Sequence, residues 1–388
     1  MRLLLTLVLL GINMLGFNQL LQWTEKDPFP GLARDDAASF YLKGKVYCGS
    51  GNHSGFGQSN RFYAYDIQLN KWNEVATFPG QSRQYAQAEV VNDKAYFLGG
   101  VSPSNQALND VWEYDSDTDS WIQKSDFPGM ARWAAVSLIL EDKIFYGSGR
   151  NPTESFNDFW LYDPKNDEWE QLTNLPDLPI FEMVGFNLYG NAYVGLGKDC
   201  TDVFRANFWR YNLHQNQWTS IADFPGGPRW YAVGHQLNGK GFVGGGTSES
   251  GTFYDDWWTY DPITQAWKKA ENLPKAHRGS TICRNPSNEL YVLCGLHGTE
   301  GRLKQFLTFG NQGNTSETNS QFIHLAQENK LLINSLQIGD ELLVFNLSGN
   351  LIYEASVVED HIQIDLAGWS RGMYVFNVAD QKFKLVLF

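Results

Sequence analysis

The chain has 388 residues and a formal net charge of −13, and it is 43% hydrophobic and 15% aromatic. This composition indicates folded domains with well-packed strands rather than disorder. The acidic balance argues against nucleic acid as a partner, because the phosphate backbone binds proteins that present a basic stripe.

The first segment is an apolar run over residues 3–15, which follows the single basic residue Arg2. It is shorter than the roughly 20 residues that span a bilayer, but it has the length of a signal-peptide core. We therefore predict a signal peptide over residues 1–18 and export of the protein. An uncleaved anchor or a buried strand is the alternative.

The next segment repeats one aromatic signature, a Tyr-Asp (once Tyr-Asn) followed six residues later by Trp. The tyrosines are 49, 48, 49 and 49 residues apart, and Trp23 lies 49 residues before Trp72, which reveals a sixth unit. A period of about 40 to 50 residues is typical of stacked or radially arranged units. The five copies are Tyr65 with Trp72, Tyr114 with Trp121, Tyr162 with Trp169, Tyr211 with Trp218, and Tyr260 with Trp267.

Each unit is predicted to form four short strands. Asn92-Asp93 and the polar residues 115–119 have the composition of the turns that separate such strands. Four antiparallel strands repeated about an axis form the blade of a β-propeller. The predicted strands of the second unit are residues 85–91, 94–98, 110–114 and 120–124.

Glycines that end the second strand of each unit, together with Tyr-Asp and the spaced Trp, make residues 23 to about 309 similar to the kelch repeat. The resemblance implies an all-β fold, a six-bladed kelch-type β-propeller over residues 22–310. It departs from the pattern at Ile180, at Asn212, and in the last unit, where Phe306 and Phe309 replace the expected Trp and Tyr. The six glycine sites are Gly49-Ser50-Gly51, Gly99-Gly100, Gly147-Ser148-Gly149, Gly195-Leu196-Gly197, Gly244-Gly245-Gly246 and Cys294-Gly295.

The last unit supplies only three strands, which end near Phe309, whereas the N-terminus supplies one strand around Trp23 before the first full unit. Pairing the two would close the ring and remove open sheet edges that invite aggregation. We predict closure by residues 22–25.

Five of the six aligned tryptophans are followed 11 residues later by an arginine, and only the unit of Trp169 has Ile180 instead. The chain direction places these arginines, neighbouring aromatics and the longer loops at one end of the propeller. Such residues could bind an anionic or sugar-like ligand by bidentate hydrogen bonds and stacking. The alternative is a structural strut between blades. The predicted ligand-binding residues are Arg34, Arg83, Tyr85, Arg132, Trp133, Phe181, Glu182, Asp199, Arg205, Arg229, Trp230, Tyr231 and Arg278.

The tryptophans in phase with the repeat are predicted to pack between blades, because each fills the same gap. Trp133, Trp230 and Trp257 fall outside this framework and are predicted to stack on a ligand.

Some kelch propellers are copper oxidases, and some six-bladed bacterial ones are sialic acid mutarotases. The seven histidines of this chain are scattered without ligand spacing, so neither a metal nor another cofactor is predicted. A sugar-acting enzyme such as a mutarotase remains the alternative on architecture alone. Glu182, Asp199 and Arg205 are its candidate residues.

Four cysteines are present, and Cys283 and Cys294 flank a predicted hairpin turn. Four buried thiols are favoured over one disulfide, because these two residues would lie diagonally rather than opposite each other.

Beyond Gly310 the repeat period disappears. Residues 311–321 have the composition of a linker, and residues 322–388 predict a small β-sandwich. The run at residues 344–353, then Gly372-Met373-Tyr374 and a terminal Lys384-Leu385-Val386, resembles the C-terminal sorting domain of type IX secretion cargo. This implies passage through the periplasm and across the outer membrane of a Gram-negative bacterium, followed by release or surface attachment. An ordinary structural or sugar-binding sandwich is the alternative.

Taken together, these features predict a secreted or cell-surface propeller, a monomer that acts as a scaffold for a protein or glycan at its arginine-bearing end. The type IX secretion machinery would be its second partner, through the C-terminal domain. No catalytic constellation stands out in the sequence.

Overall fold

The computed structural model describes residues 21–311 except 56 and 263, and residues 321–387 except 326–329, 335–340, 347–350, 357–360, 367, 370–371 and 379–380. The predicted signal peptide lies outside these residues. The chain divides into two compact units after residue 312. Every regular element that the structure describes is a strand, so no helix in these ranges is long and apolar enough to cross a membrane.

Six antiparallel sheets of four strands each, named sheets 1 to 6, form the described part of the first unit. Sheet 1 contains Ala38–Leu42, Lys45–Gly49, Phe62–Asp66 and Lys71–Glu74, and sheet 2 contains Gln87–Val91, Lys94–Leu98, Val111–Asp115 and Ser120–Gln123. Sheet 3 contains Val136–Leu140, Lys143–Gly147, Phe159–Asp163 and Glu168–Gln171, and sheet 4 contains Val184–Leu188, Asn191–Gly195, Phe208–Asn212 and Gln217–Ile221. Sheet 5 contains Val233–Leu237, Lys240–Gly244, Trp257–Asp261 and Ala266–Lys269, and sheet 6 contains Thr281–Asn285, Glu289–Leu293, Phe306–Asn311 and Leu21–Glu25.

The sheets are arranged in a closed ring. The first strand of each sheet contacts the first strand of the next, and that of sheet 6 contacts that of sheet 1. These six strands line a central cavity of about 440 Å³. The predicted all-β class is confirmed.

Additional short strands lie at the end of the ring where the first strand of each sheet begins. They are Arg34–Asp35 with Asn52–His53 and Gly57–Gln58, Ile180–Phe181 with Lys198–Asp199, and Leu296–His297 with Gly301–Arg302. We call this end of the cavity the mouth. The opposite end carries the tight turns within each sheet, such as Asn92-Asp93, where both residues have positive φ as a type I′ hairpin requires.

The repeated Trp and Tyr residues join neighbouring sheets. In sheet 2 the indole of Trp121 donates to the carbonyl of Ala76 at 3.1 Å and packs on Phe62 of sheet 1, with ring centres 5.3 Å apart. The carboxylate of Asp119 accepts from the Tyr114 hydroxyl at 2.7 Å and from the Ala76 amide at 2.8 Å. The prediction that the in-phase tryptophans pack between blades is confirmed here.

The predicted closure by the N-terminal strand is confirmed, because Leu21–Glu25 pairs antiparallel with Phe306–Asn311. Trp23 lies opposite Phe309, as Trp72 lies opposite Tyr65 in sheet 1. Phe309 therefore takes the Tyr position. Phe306, however, takes the position of Phe62 at the start of the third strand, and the tryptophan of the last unit is Trp23 itself.

All four cysteines are free thiols, so the alternative Cys283–Cys294 disulfide is not formed. Cys48, Cys283 and Cys294 are buried, and the Sγ atoms of Cys48 and Cys294 lie 4.0 Å apart. Burial of Cys200 was a wrong prediction, because this residue lies in an exposed turn after the short strand Lys198–Asp199.

The second unit contains two antiparallel sheets. One consists of Gln321–Leu325, Lys330–Asn334 and His361–Asp365, and the other of Leu351–Ser356, Glu341–Asn346, Gly372–Val378 and Gln381–Leu387. The first two strands lie at the start of the stretch for which the sequence predicted short strands, and the first begins in the predicted linker. The face-to-face sandwich stays a prediction.

We expect substitution of Trp23 by alanine to lower the free energy of unfolding by about 2 kcal/mol, because this half-buried indole packs on Trp257 and Phe309 and holds the closing strand. Urea unfolding of the full-length chain measures the effect. Gln22→Ala in the same strand is the matched control, because that side chain is exposed and should change stability little. Equal stability of the Trp23→Ala variant and the parent would contradict closure by this strand.

Candidate ligand-binding site

Four of the repeated arginines are buried struts. Arg34, Arg83, Arg132 and Arg229 are at most 2% exposed. The guanidinium of Arg83 donates to the carbonyl of Gly99 at 2.9 Å and to Asp110 at 2.7 Å, and it lies over the ring of Phe78.

The same clasp recurs in two other sheets, where the acid stands 26 or 27 residues after the arginine. The pairs are Arg132 with Asp158 and Arg229 with Asp256. Arg34 instead donates to the carbonyls of Ser50 and Leu32. The prediction that these four arginines contact a ligand is therefore corrected, because a buried guanidinium with its donors already used is out of reach.

The position before each sheet that these four arginines occupy, here called the strut position, holds a different residue in sheets 4 and 6. A glycine amide donates to the carbonyl of each strut residue, as Gly100 does to Arg132, and the equivalent bonds are Gly149 to Ile180 and Gly246 to His277. In sheet 6 the strut position therefore belongs to the buried His277, and Arg278 stands one residue later, at the mouth. Counting Arg278 with the other four was wrong.

The six residues that stand two positions after the strut positions, one from each unit, together form a ring around the mouth. Five backbone amide-to-carbonyl hydrogen bonds of 2.8 to 3.3 Å link successive members, for example from Tyr85 to Asp36 and from Glu182 to Ala134. All six residues have φ between 53° and 60°, a left-handed conformation that only glycine adopts without cost. The members are Asp36, Tyr85, Ala134, Glu182, Tyr231 and Gly279.

Two of these ring residues meet across the cavity. Tyr85 precedes sheet 2 and Tyr231 precedes sheet 5, on opposite sides of the ring, and their hydroxyl oxygens are 3.0 Å apart. Arg278 lies over the Tyr231 ring at 4.3 Å. The mouth is thus floored by two phenols that can donate to or accept from a ligand.

Two carboxyl groups flank the phenols, again from opposite sheets. Burial and the charge of Asp35 raise the pKa of Asp36 well above its ordinary value, although Arg278 opposes this shift. Burial and the charge of Asp36 likewise raise the pKa of Glu182. Neutral carboxyls can donate hydrogen bonds as well as accept them.

Aromatic rings capped by cations stand beside this floor. Lys198 lies 5.1 Å from the ring of Trp230, which also packs on Phe204 with ring centres 5.3 Å apart. Arg150 lies 4.7 Å from Phe181 and 5.8 Å from Trp133. The structure therefore brings the predicted residues Trp133, Phe181 and Trp230 to the mouth.

Asp199 does not face the mouth. Its side chain is fully buried, one oxygen accepts from the Thr201 hydroxyl at 2.6 Å and from the Val203 amide at 3.1 Å, and the other is paired with Arg205. Burial alone would raise the pKa of Asp199, but the hydrogen bonds from Thr201 and Val203 lower it. The pair organises its loop, which corrects the prediction that Asp199 contacts a ligand.

Trp257 was also predicted wrongly as a stacking residue. It is fully buried at the start of the third strand of sheet 5, where Phe62 stands in sheet 1, and it packs on Trp23. A large apolar residue is needed there to fill the space between strands.

The mouth residues Asp36, Arg150, Lys198 and Arg302 are not among the predicted ligand-binding residues. The strut pair gives no signal for them, and it does not separate Arg278 from the struts, because Arg34 also lacks an aspartate 26 or 27 residues later, where Asn60 and Arg61 stand. Among the described ranges, no group of three or more His, Cys, Asp or Glu side chains is arranged to hold a metal ion.

Comparison with known proteins agrees with this geometry. Residues 18–181 match the family described as the KLHDC2/KLHL20/DRC7 Kelch-repeats domain, and residues 320–387 match the secretion system C-terminal sorting domain. The chain carries kelch repeats and a type IX sorting domain. The sorting domain implies export to the cell surface or secretion.

A solved structure described as "Structure of YjhT" superposes on this chain with a TM-score of 0.62 at 16% sequence identity. The match covers 73% of this chain and 96% of that one, and at such identity it concerns the fold alone. No curated protein matches the chain in sequence.

The role of the struts can be tested by introducing into sheet 3 the residues that sheet 4 has at the same positions. Arg132→Ile alone should cost about 3 kcal/mol of unfolding free energy, because Asp158 would be left without its buried partner. The double variant Arg132→Ile with Asp158→Asn reproduces the Ile180 and Asn207 pair of sheet 4 and should recover part of the loss. Urea unfolding decides, with exposed Arg61→Gln as the control. A double variant no more stable than the single one would contradict the strut role.

Proposed function

We propose that this exported kelch protein is a binding protein whose ligand is a glycan held at the mouth of the propeller. The observation that carries the proposal is the combination at one place of paired phenols, two carboxyls and aromatic rings capped by cations. Sugars are recognised through such pairings, since hydroxyl groups need both donors and acceptors and the faces of sugar rings pack on aromatic side chains.

The charges at the mouth support a ligand with an acidic or strongly polar group. Arg278 is only loosely compensated, with its Nη1 atom 3.8 Å from Asp35, whose other oxygen is bound by Arg302 at 2.6 Å. Among the described residues Arg150 forms no ion pair with a carboxylate, although its charge acts on the nearby Glu182. Guanidinium groups of this kind remain available for bidentate bonds.

Backbone conformation is a second support. Only Gly279 of the ring is a glycine, although glycine would be the least costly residue at all six left-handed positions. Tyr85, Tyr231 and Glu182 therefore keep their side chains over the mouth at a conformational cost of about 1 kcal/mol each. Such strain clusters at ligand-binding sites.

Variants at the mouth test the proposal on the full-length chain. We first identify a bound glycan on an array. Trp230→Ala, Arg278→Gln and Tyr231→Phe should each lower the affinity for that glycan by about tenfold or more, measured by calorimetry, because each removes a stacking or hydrogen-bonding contact. Leu69→Ser, at a 72% exposed residue in a turn at the opposite end, is the control and should bind as the parent does.

Unchanged thermal denaturation must accompany the loss of affinity, so that unfolding is excluded as its cause. Glycan affinity that is equal in the parent and all three mouth variants would refute the site. If the full-length chain captures a protein, and the same three variants abolish its binding, the ligand is a protein rather than a glycan.

A sugar-acting enzyme is the second candidate function, and the two mouth carboxyls favour it. Groups whose pKa is raised by burial at a ligand site are suited to donate or accept a proton near neutral pH. Glu182, not Asp199, is then the acid–base candidate.

Turnover separates the two functions. If the protein converts the sugar it binds, followed by NMR of the sugar, Glu182→Gln should abolish conversion while affinity changes less than tenfold. Asp199→Asn should act through loop stability instead, visible as a lower denaturation temperature. Binding without any conversion by the parent would leave the scaffold function alone.

A further inference from the structure

The inner end of the central cavity, opposite the mouth, contains a cation without a counter-charge. Arg284 lies near the end of the first strand of sheet 6 and lines the cavity. Its Nη1 atom donates to the Asn288 side chain at 2.9 Å, and its buried Nε atom has no hydrogen-bond partner. No carboxylate within the described ranges pairs with it.

Carboxylates are abundant in this chain, with a net charge of −13, so the lack of one here is notable. Glu89 also lines the cavity, but it accepts from the Ser137 hydroxyl at 2.6 Å on the far side of the ring. His235 stands beside Arg284, and burial together with the Arg284 charge lowers its pKa to about 4, which keeps it neutral at pH 7. A guanidinium left uncompensated in a partly buried cavity is costly.

Neighbouring strands supply polar groups at the same level. Tyr41 of sheet 1 and Gln236 of sheet 5 stand five residues after their ring residues, as Arg284 does, and both line the cavity. Gly185 and Gly234 line the level nearer the mouth on sheets 4 and 5, where the strands pack closely, since a Cβ at Gly234 would lie 2.5 Å from the Val184 side chain. Polar groups of the neighbouring strands therefore surround Arg284, and no carboxylate of the described residues is in direct contact with it.

We propose that the inner end of the cavity binds a small halide-sized anion at Arg284, with Tyr41 and Gln236 as further donors. Chloride is the abundant anion of this class outside cells. Because the three residues come from sheets 5, 6 and 1, a bound anion would also tie sheet 6, which contains both chain ends of the ring, to its two neighbours. This site lies beyond the proposed glycan function and does not depend on it.

Bromide provides a direct probe of the full-length chain. Crystals grown in sodium bromide should show an anomalous peak within about 3.5 Å of the Arg284 guanidinium. The denaturation temperature should rise by a few degrees as chloride replaces isethionate at constant ionic strength, because a ligand that binds only the folded state stabilises it.

Arg284→Gln should abolish the chloride-specific rise, whereas the exposed control Arg61→Gln should keep it. If Arg284→Gln does not fold, Tyr41→Phe should shift the half-saturating chloride concentration upward by about threefold or more. A cavity without an anomalous peak at Arg284, or a chloride-dependent rise that is equal in Arg284→Gln and the parent, would overturn the proposal.

Discussion

The pairing of Leu21–Glu25 with Phe306–Asn311 is the interaction on which the rest of the molecule depends. The strands of each sheet pack mainly on those of its two neighbours, so without this strand sheets 5 and 6 would lose the packing of Trp23 on Trp257. Closure also fixes the diameter of the cavity. Tyr85 and Tyr231 come from opposite sheets, and their 3.0 Å contact requires the ring to be complete.

In this propeller the residues that recur from sheet to sheet have structural roles, and the residues that differ between sheets form the mouth. Where the same residue recurs, as with Arg83, Arg132 and Arg229, it is buried and holds its own sheet together. In the ring of left-handed residues only tyrosine occurs twice, and Glu182 and Asp36 carry the mouth carboxyls. A repeat protein can form an asymmetric site on a symmetric scaffold when the side chains on one backbone ring differ from sheet to sheet.

The strands and their closure could be predicted from the sequence because period, turn residues and aromatic spacing are local signals. Arg278 could not be placed by counting, since the strut position His277 follows Trp267 after 10 residues instead of 11, which leaves Arg278 one residue beyond it at the mouth. Tyr85 and Tyr231 were found as aromatic neighbours, but their contact across the cavity depends on the ring geometry. Arg150 reaches the mouth through its isolated bridge with Trp133, and equivalent bridges join Gln84 to Val101 and Trp230 to Thr247, so the repeat encodes the bridge but not the arginine.

The distribution of charge along the cavity follows from these placements. Arg150 and Arg284 lack carboxylate partners among the described residues, one at each end, while the carboxyls of Asp36 and Glu182 have a raised pKa that disfavours their charge. A low-dielectric channel focuses the field of its uncompensated charges. Cations whose charge is not neutralised by an ion pair thus lie at both ends of the cavity of an acidic protein, which is why polar or anionic ligands are expected there.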